Sequence, residues 1–88
     1  MITSAVDINT QVQAKGLRFE DNLLFILLSD GREISLPIDQ MEWLQWLTKA
    51  TPGQRTKWTI EPGGFAIYWE DLDDGIEIEH VLSMQPLV

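Results

Sequence analysis

The stretch Leu23-Leu-Phe-Ile-Leu-Leu-Ser-Asp-Gly-Arg-Glu-Ile-Ser-Leu-Pro37 decides the fold, because two β-type runs flank its Asp-Gly dipeptide. Asp-Gly at positions 30 and 31 favours a two-residue hairpin turn of type I′, in which both residues take positive φ. That turn predicts three facing pairs, namely Ser29 with Arg32, Leu27 with Ile34, and Phe25 with Leu36. Because the first run is apolar at every position, we expect it to lie inside a sheet with cover on both faces.

A further strand precedes this hairpin. Leu17–Glu20 alternates apolar and polar residues, which is typical of a half-buried strand. Asp21-Asn22 offers a tight turn between the two strands. A two-residue turn here predicts two facing pairs, Phe19 with Leu24 and Leu17 with Ile26. The residues before this strand are weakly patterned, so we expect a loosely ordered segment over 1–16.

The segment after Pro37 has the pattern of a helix. Asp39 suits an N-cap and Glu42 follows three residues later, as in a capping box, which predicts a helix over Gln40–Ala50. Its inward stripe consists of Trp43, Leu44, Leu47 and Ala50. Thr51-Pro52 predicts one further helical turn, because threonine is a favoured N-cap and proline a favoured first helical residue.

The second half of the chain resembles another hairpin. Trp58–Glu61 and Phe65–Trp69 alternate as strands do, and a Pro-Gly-Gly turn joins them, so we expect this hairpin to extend the first sheet. An acidic loop follows at Glu70–Gly75. Residues 76–79 fit either a short strand or a helix entry, and His80–Met84 predicts a final helical turn.

These elements predict an α+β fold. It comprises a mainly antiparallel sheet built from two β-hairpins, one main helix packed on a face, and a short C-terminal helical turn. Eighty-eight residues fit a single domain over 1–88.

The composition excludes several classes of protein. Six Lys and Arg against fourteen Asp and Glu give a net charge of −8, which repels nucleic-acid phosphates and anionic membranes and attracts a basic partner. The absence of cysteine excludes disulfides and thiol chemistry. The longest apolar run, Leu23–Leu28, is far shorter than the roughly 20 residues of a membrane helix. No basic residue precedes an apolar segment at the N-terminus, so we expect a cytoplasmic protein.

The acidic loop does not match a known calcium motif. An EF-hand loop needs acids at positions 1, 3 and 5 and a glutamate at position 12. Counting from Glu70 places Leu72 at position 3 and Val81 at position 12. His80 is the single histidine, and no nucleophile or orienting group accompanies it in a recognisable pattern. We therefore expect no metal, no cofactor and no enzymatic activity.

Four tryptophans raise the question of an aromatic platform for single-stranded nucleic acid. Such a platform needs a basic groove, and the few basic residues are scattered among acids, so packing in the core and at its rim is the better interpretation. Trp46 is expected to be the most exposed tryptophan, able to anchor a protein contact. The predicted interaction surface consists of Trp46, Glu70, Asp71, Asp73 and Asp74.

Three segments in order resemble a known family. They are the Ser-Asp-Gly-Arg turn within 27–37, Ala50-Thr-Pro-Gly-Gln-Arg55 with Trp58, and Gly64-Phe-Ala-Ile-Tyr-Trp69 with the acidic residues that follow. From about Leu17 to Leu82, the chain resembles the small bacterial proteins grouped as domain of unknown function 2442. The resemblance implies a small α+β domain without known catalytic residues. Members are often encoded beside another small protein, an organisation similar to that of toxin–antitoxin pairs.

Three functional hypotheses follow. The first is a protein-interaction module, an antitoxin-like or regulatory subunit that pairs with a small, more basic protein encoded by the adjacent gene. The second is a self-assembling domain that forms a homodimer through an apolar strand edge or through Trp46. The third and least favoured is an enzyme or a divalent-metal protein that uses the acidic loop and His80.

Overall fold

The computed structural model describes residues 12–83 and confirms the α+β fold class. The strands are β1 (Ala14–Glu20), β2 (Leu23–Leu28), β3 (Glu33–Pro37), β4 (Trp58–Ile60), β5 (Ala66–Trp69) and β6 (Asp74–Glu77). The α-helices are α1 (Gln45–Thr48), α2 (Pro52–Arg55) and α3 (Ile78–Ser83). Short 3-10 turns lie at Ile38–Gln40, Glu42–Leu44, Pro62–Gly64 and Glu70–Leu72.

The strands form two antiparallel sheets, in the orders β1-β2-β3 and β4-β5-β6. The second hairpin therefore does not extend the first sheet. Its strands β4 and β5 form a separate sheet, in which β6 is the third strand. One face of each sheet contributes to a common hydrophobic core. Its buried members are Ala14, Leu24, Ile26, Leu28, Ile34, Leu36, Ile38, Leu44, Leu47, Ile67, Trp69, Ile76, Ile78 and Val81.

The hairpin between β2 and β3 has a different register from the predicted one. Its loop has three residues, since the N–H of Leu28 donates to the carbonyl of Arg32 at 2.8 Å. Only Gly31 takes positive φ (94°), whereas a type I′ turn would impose positive φ on Asp30 as well. The one-residue shift pairs Ile26 with Ile34 and places Leu27 opposite Glu33.

Only one face of β2 is buried. Leu24, Ile26 and Leu28 point into the core, while Leu23 and Leu27 remain 40% and 42% exposed. The central position of β2 in its sheet is confirmed, but the expected cover on both faces is wrong for the outer face.

The turn between β1 and β2 follows the prediction. Phe19 pairs with Leu24 and Leu17 pairs with Ile26. Asp21 takes the positive φ (54°) that the tight turn needs. The strand β1 begins at Ala14, so the prediction of a loosely ordered segment over 1–16 is wrong for residues 14–16. Residues 1–11 lie outside the described part of the chain.

The predicted helix over Gln40–Ala50 is divided into two 3-10 turns and the short helix α1. Met41 is extended (φ −114°, ψ 117°) and interrupts it, and no side chain caps either 3-10 turn, so the predicted capping box is absent. The interruption follows from packing, because Ile38 is drawn fully into the core ahead of Leu44 and Leu47. The Gln45 side-chain amide donates to the carbonyl of Met41 at 3.1 Å, which satisfies a backbone group at the break.

The turn at α2 is capped as predicted. The Thr51 hydroxyl accepts from the N–H of Gln54, and the Gln54 side chain accepts from the N–H of Thr51, at 3.1 and 3.0 Å. Pro52 occupies the first turn of the helix. This rigid corner carries Arg55, the last residue of α2.

Candidate interaction surfaces

The acidic loop is a structured turn with internal partners. Asp73 takes a left-handed conformation (φ 52°) and accepts a hydrogen bond from the hydroxyl of Tyr68 at 2.7 Å. Asp71 lies 3.6 Å from the ammonium of Lys57, and the Asp74 carboxylate accepts from the N–H of Gly75. Within residues 12–83, no three acidic or histidine side chains come together as a group that could hold a metal ion.

His80 lies in α3 and packs against an aromatic ring. Its imidazole meets the indole of Trp43 edge-on, with the ring centroids 4.8 Å apart. An imidazole in this contact acts as a packing group at the rim of the core.

Trp46 is half-buried, and its role as the anchor of a protein contact stays a prediction. Its ring meets that of Trp69 edge-on at 5.4 Å, and its indole N–H donates to the carbonyl of Trp43 at 2.9 Å. Both the ring and the indole N–H of Trp46 therefore make contacts inside the domain. Trp69 is fully buried, and the other tryptophans are half-buried against the core, as the packing interpretation predicts.

Arg55, the last residue of the family-like segment 50–55, is a structural clamp. Its guanidinium donates to the carbonyls of Leu47 and Thr48 at 2.9 and 3.1 Å. It also donates to the Asp21 carbonyl and the Asn22 side chain at 3.0 and 3.1 Å, at the turn between β1 and β2. Arg55 thus joins the helical segment to the first sheet, a role that the sequence pattern does not reveal.

A concave surface lies on the outer face of the second sheet. Tyr68 pairs with Gly75, and Ala66 pairs with Glu77, so these four residues share that face. A hollow of about 260 Å³ opens there, and its lining includes all four together with Glu61. Small residues at positions 66 and 75 leave the space, and we call this site the acidic hollow.

Gly75 is required by the backbone as well as by the hollow. A Cβ atom at this position would lie 2.6 Å from the carbonyl oxygen of Ile67, closer than non-bonded atoms approach. The close contact between β5 and β6 therefore depends on the missing side chain.

The electrostatic character of the hollow is negative. The pKa of Tyr68 is raised above its ordinary value of 10.0, mainly because its hydroxyl donates a hydrogen bond to Asp73. The negative charges of Glu70 and Glu61 raise the pKa further. Among the described residues that line the hollow, none is basic, and Glu61 and Glu77 are exposed at its rim. The site combines the carboxylates of Glu61 and Glu77 with the aromatic side chain of Tyr68.

The predicted interaction surface stays a prediction, and none of its residues lines the hollow. Glu70 and Asp73 raise the pKa of Tyr68, whereas Asp71 pairs with Lys57 and Asp74 accepts from the N–H of Gly75. Glu61, Tyr68 and Glu77 were not predicted as site residues. Glu61 and Glu77 are 16 residues apart in the sequence, and only the pairing of both neighbours with β5 brings them to one site.

Fold and surface together define a small α+β protein with a negatively charged hollow on one sheet. The chain belongs to the family described as "Protein of unknown function (DUF2442)", whose model matches residues 14–84. No curated protein matches the chain.

Two solved structures are similar in fold. A crystal structure of a protein of unknown function from Rhodospirillum rubrum has a TM-score of 0.70 and 18% identity, covering 84% of this chain and 88% of that chain. The solution NMR structure of uncharacterized protein CV0863 from Chromobacterium violaceum has a TM-score of 0.67 and 18% identity, covering 91% and 72% of the two chains. At this identity, the likeness extends to the fold alone.

No helix in the described part of the chain has the length and apolar character needed to cross a membrane.

Proposed function

We propose that this protein is an interaction module that binds a small basic protein through the acidic hollow. The observation that carries the proposal is a concave site with two rim carboxylates, a tyrosine ring and no basic lining residue among those described. A net charge of −8 on 88 residues adds a long-range attraction for a basic partner.

The chemistry of the hollow suits an arginine or lysine side chain. A guanidinium group can pair with a carboxylate through two parallel hydrogen bonds, and either cation is attracted to the face of a tyrosine ring. Glu61 and Glu77 would supply the carboxylates and Tyr68 the ring.

The partner we propose is the product of the adjacent gene, as the family resemblance implies, and the role we propose is that of an antitoxin-like or regulatory subunit. Charge complementarity favours fast association between such partners and makes the complex sensitive to salt.

Titration of the isotope-labelled protein with an acetylated hexa-arginine amide, followed by NMR, tests the site. We expect the largest amide shifts at 66–68 and 75–77, and weaker binding after the double substitution Glu61→Gln and Glu77→Gln. The double substitution Glu42→Gln and Glu79→Gln removes the same charge from exposed positions elsewhere and serves as the control. Equal weakening by both double variants would reduce the interaction to net charge and contradict the proposed site.

A further inference from the structure

The second sheet ends at an edge strand, β6, which pairs with β5 on one side. The opposite edge strand, β4, lies against β1 of the first sheet. Among the described residues, no strand pairs with the outer side of β6, and the described lining of the acidic hollow likewise ends at this strand. An unpaired edge exposes main-chain donors and acceptors, to which an extended segment of another chain can add as a further strand.

The alternation of hydrogen bonds in the sheet shows which main-chain groups of β6 point outward. Just beyond β6, the N–H of Ile78 donates to the carbonyl of Phe65 at 2.8 Å, in the same register as the pairs between β5 and β6. Hydrogen-bonded and non-bonded pairs alternate along an antiparallel ladder. Ile76 therefore directs its main-chain groups towards β5, whereas Gly75 and Glu77 direct theirs away from it.

Two of the four outward groups already have partners. The N–H of Gly75 donates to the Asp74 carboxylate at 2.8 Å, and the carbonyl of Glu77 directly precedes α3, where it accepts the first helical hydrogen bond. The carbonyl of Gly75 and the N–H of Glu77 have no hydrogen-bond partner among the described residues. The edge therefore offers one acceptor and one donor, on either side of Ile76.

This pattern of free groups fits a parallel strand. In a parallel ladder, one residue bonds to the carbonyl before its opposite number and to the N–H after it, whereas an antiparallel strand bonds to both groups of one residue. Neither Gly75 nor Glu77 has both groups free. An added parallel strand would place one residue opposite Ile76, and the residues before and after it would direct their side chains to the face of the hollow.

The charge of the edge selects its occupant. Asp74 and Glu77 are exposed on β6, and Glu61 is exposed on the same face as Glu77. A second copy of β6 would bring carboxylates together, and charged side chains on an edge strand oppose such self-pairing. A segment with basic residues at alternate positions has the complementary charge.

We propose that the basic partner binds as an extended segment, added to the second sheet parallel to β6, with a basic residue on each side of the one opposite Ile76. This inference rests on the proposed function and states how the partner enters the acidic hollow. The first basic side chain would cross β6 at Gly75, where no side chain stands in its path to Tyr68, and the second would lie beside Glu77. Main-chain hydrogen bonds would hold the segment, and the alternate side chains would select it.

An acetylated pentapeptide amide of sequence Ala-Arg-Val-Arg-Ala, titrated into the full chain and followed by NMR, tests the added strand. N-methylation of its valine removes the N–H that would donate to Gly75, and we expect binding to weaken about tenfold. N-methylation of its second arginine is the matched control, because that N–H points away from β6 and binding should change little. The unmethylated peptide should also slow the amide hydrogen exchange of Glu77.

The outcomes separate the added strand from the hollow itself. Equal binding of the two methylated peptides, or an unchanged exchange rate of Glu77, would overturn the added strand, and the proposed function would stand if binding still required the charges at positions 61 and 77. Binding of hexa-arginine without binding of the pentapeptide would overturn this inference alone, whereas binding of neither would contradict both. Slower exchange of Glu77 at higher protein concentration, without peptide, would assign the edge to a second copy and overturn the basic segment as its occupant.

Discussion

The guanidinium of Arg55 donates four hydrogen bonds to two segments that are more than twenty residues apart in the sequence. Hydrogen bonds from a charged group contribute about 1.5–3 kcal/mol each in mutational series, and not additively. We predict that Arg55→Ala lowers the free energy of unfolding by about 3 kcal/mol, measured by urea denaturation. Arg55→Lys should restore little of the loss, because an ammonium group cannot span the same acceptors.

Arg32→Ala is the matched control for this substitution. Arg32 pairs with Asp30 at an exposed turn, where ion pairs contribute roughly 0–1 kcal/mol. Similar losses in the free energy of unfolding for Arg32→Ala and Arg55→Ala would contradict the stabilising role of the Arg55 hydrogen bonds.

Tyr68 is the single tyrosine of the chain, so its ionisation can be followed by ultraviolet absorbance. Its pKa is raised, mainly by the hydrogen bond to Asp73. We predict that Asp73→Asn lowers the pKa of Tyr68 towards 10.0, and that Asp74→Asn, which removes a neighbouring acid, has a smaller effect. Because the folded-state pKa is the higher one, the associated stability is complete below the unfolded pKa and is lost as pH rises through the folded pKa. A Tyr68 pKa unchanged by Asp73→Asn would contradict the hydrogen bond.

At the scale of elements, the strand pair β5 and β6 depends on Gly75. A Cβ atom would collide with the Ile67 carbonyl oxygen, so we predict that Gly75→Ala costs about 1–3 kcal/mol of stability. Gly16→Ala is the control, because nothing lies within 4 Å of its added Cβ, and it should be close to neutral. Denaturation curves compare the two, and equal effects would argue against the close approach of the strands.

The register of β2 gives a second prediction at this scale. Ile26 is fully buried and Leu27 is 42% exposed, whereas the sequence predicted that both would be covered. Ile26→Ala should cost about 2–5 kcal/mol in urea denaturation, whereas Leu27→Ala should cost less than about 1 kcal/mol at dilute concentration. A larger loss of stability for Leu27→Ala than for Ile26→Ala would contradict the register described here.

Local sequence determines some elements of this fold and leaves others ambiguous. The Asp21-Asn22 turn and the Thr51 cap follow from residue preferences and are both present. The hairpin loop containing Asp30-Gly31 is ambiguous, because Ser-Asp-Gly also fits a three-residue loop with glycine last. Asp30 favours that loop by accepting from the N–H of Arg32, which lowers the pKa of Asp30.

The break in the helical segment could not be predicted from local preference. It results from the burial of Ile38, which depends on contacts with residues distant in the sequence. The acidic hollow has the same origin, since β4 and β6 must both pair with β5 before Glu61 and Glu77 become neighbours. Composition indicates the excess of negative charge but not where the chain concentrates it.

At the scale of the whole molecule, the two sheets carry surfaces of different character. The second sheet carries the acidic hollow, and the outer face of the first sheet carries the exposed side chains of Leu23 and Leu27 beside the ion pair of Arg18 with Glu33. The basic partner that we propose would bind through the second sheet. Salt should weaken that interaction, because charged groups carry it.

The most direct test of the interaction module is the mass of the protein coexpressed with the product of the adjacent gene, measured by size exclusion with light scattering. The account predicts a stable heteromeric complex for the wild type and for the control pair Glu42→Gln and Glu79→Gln. It predicts a weakened complex for Glu61→Gln with Glu77→Gln. A wild-type protein that elutes free of its neighbour, or a complex indifferent to the charges at positions 61 and 77, would contradict it.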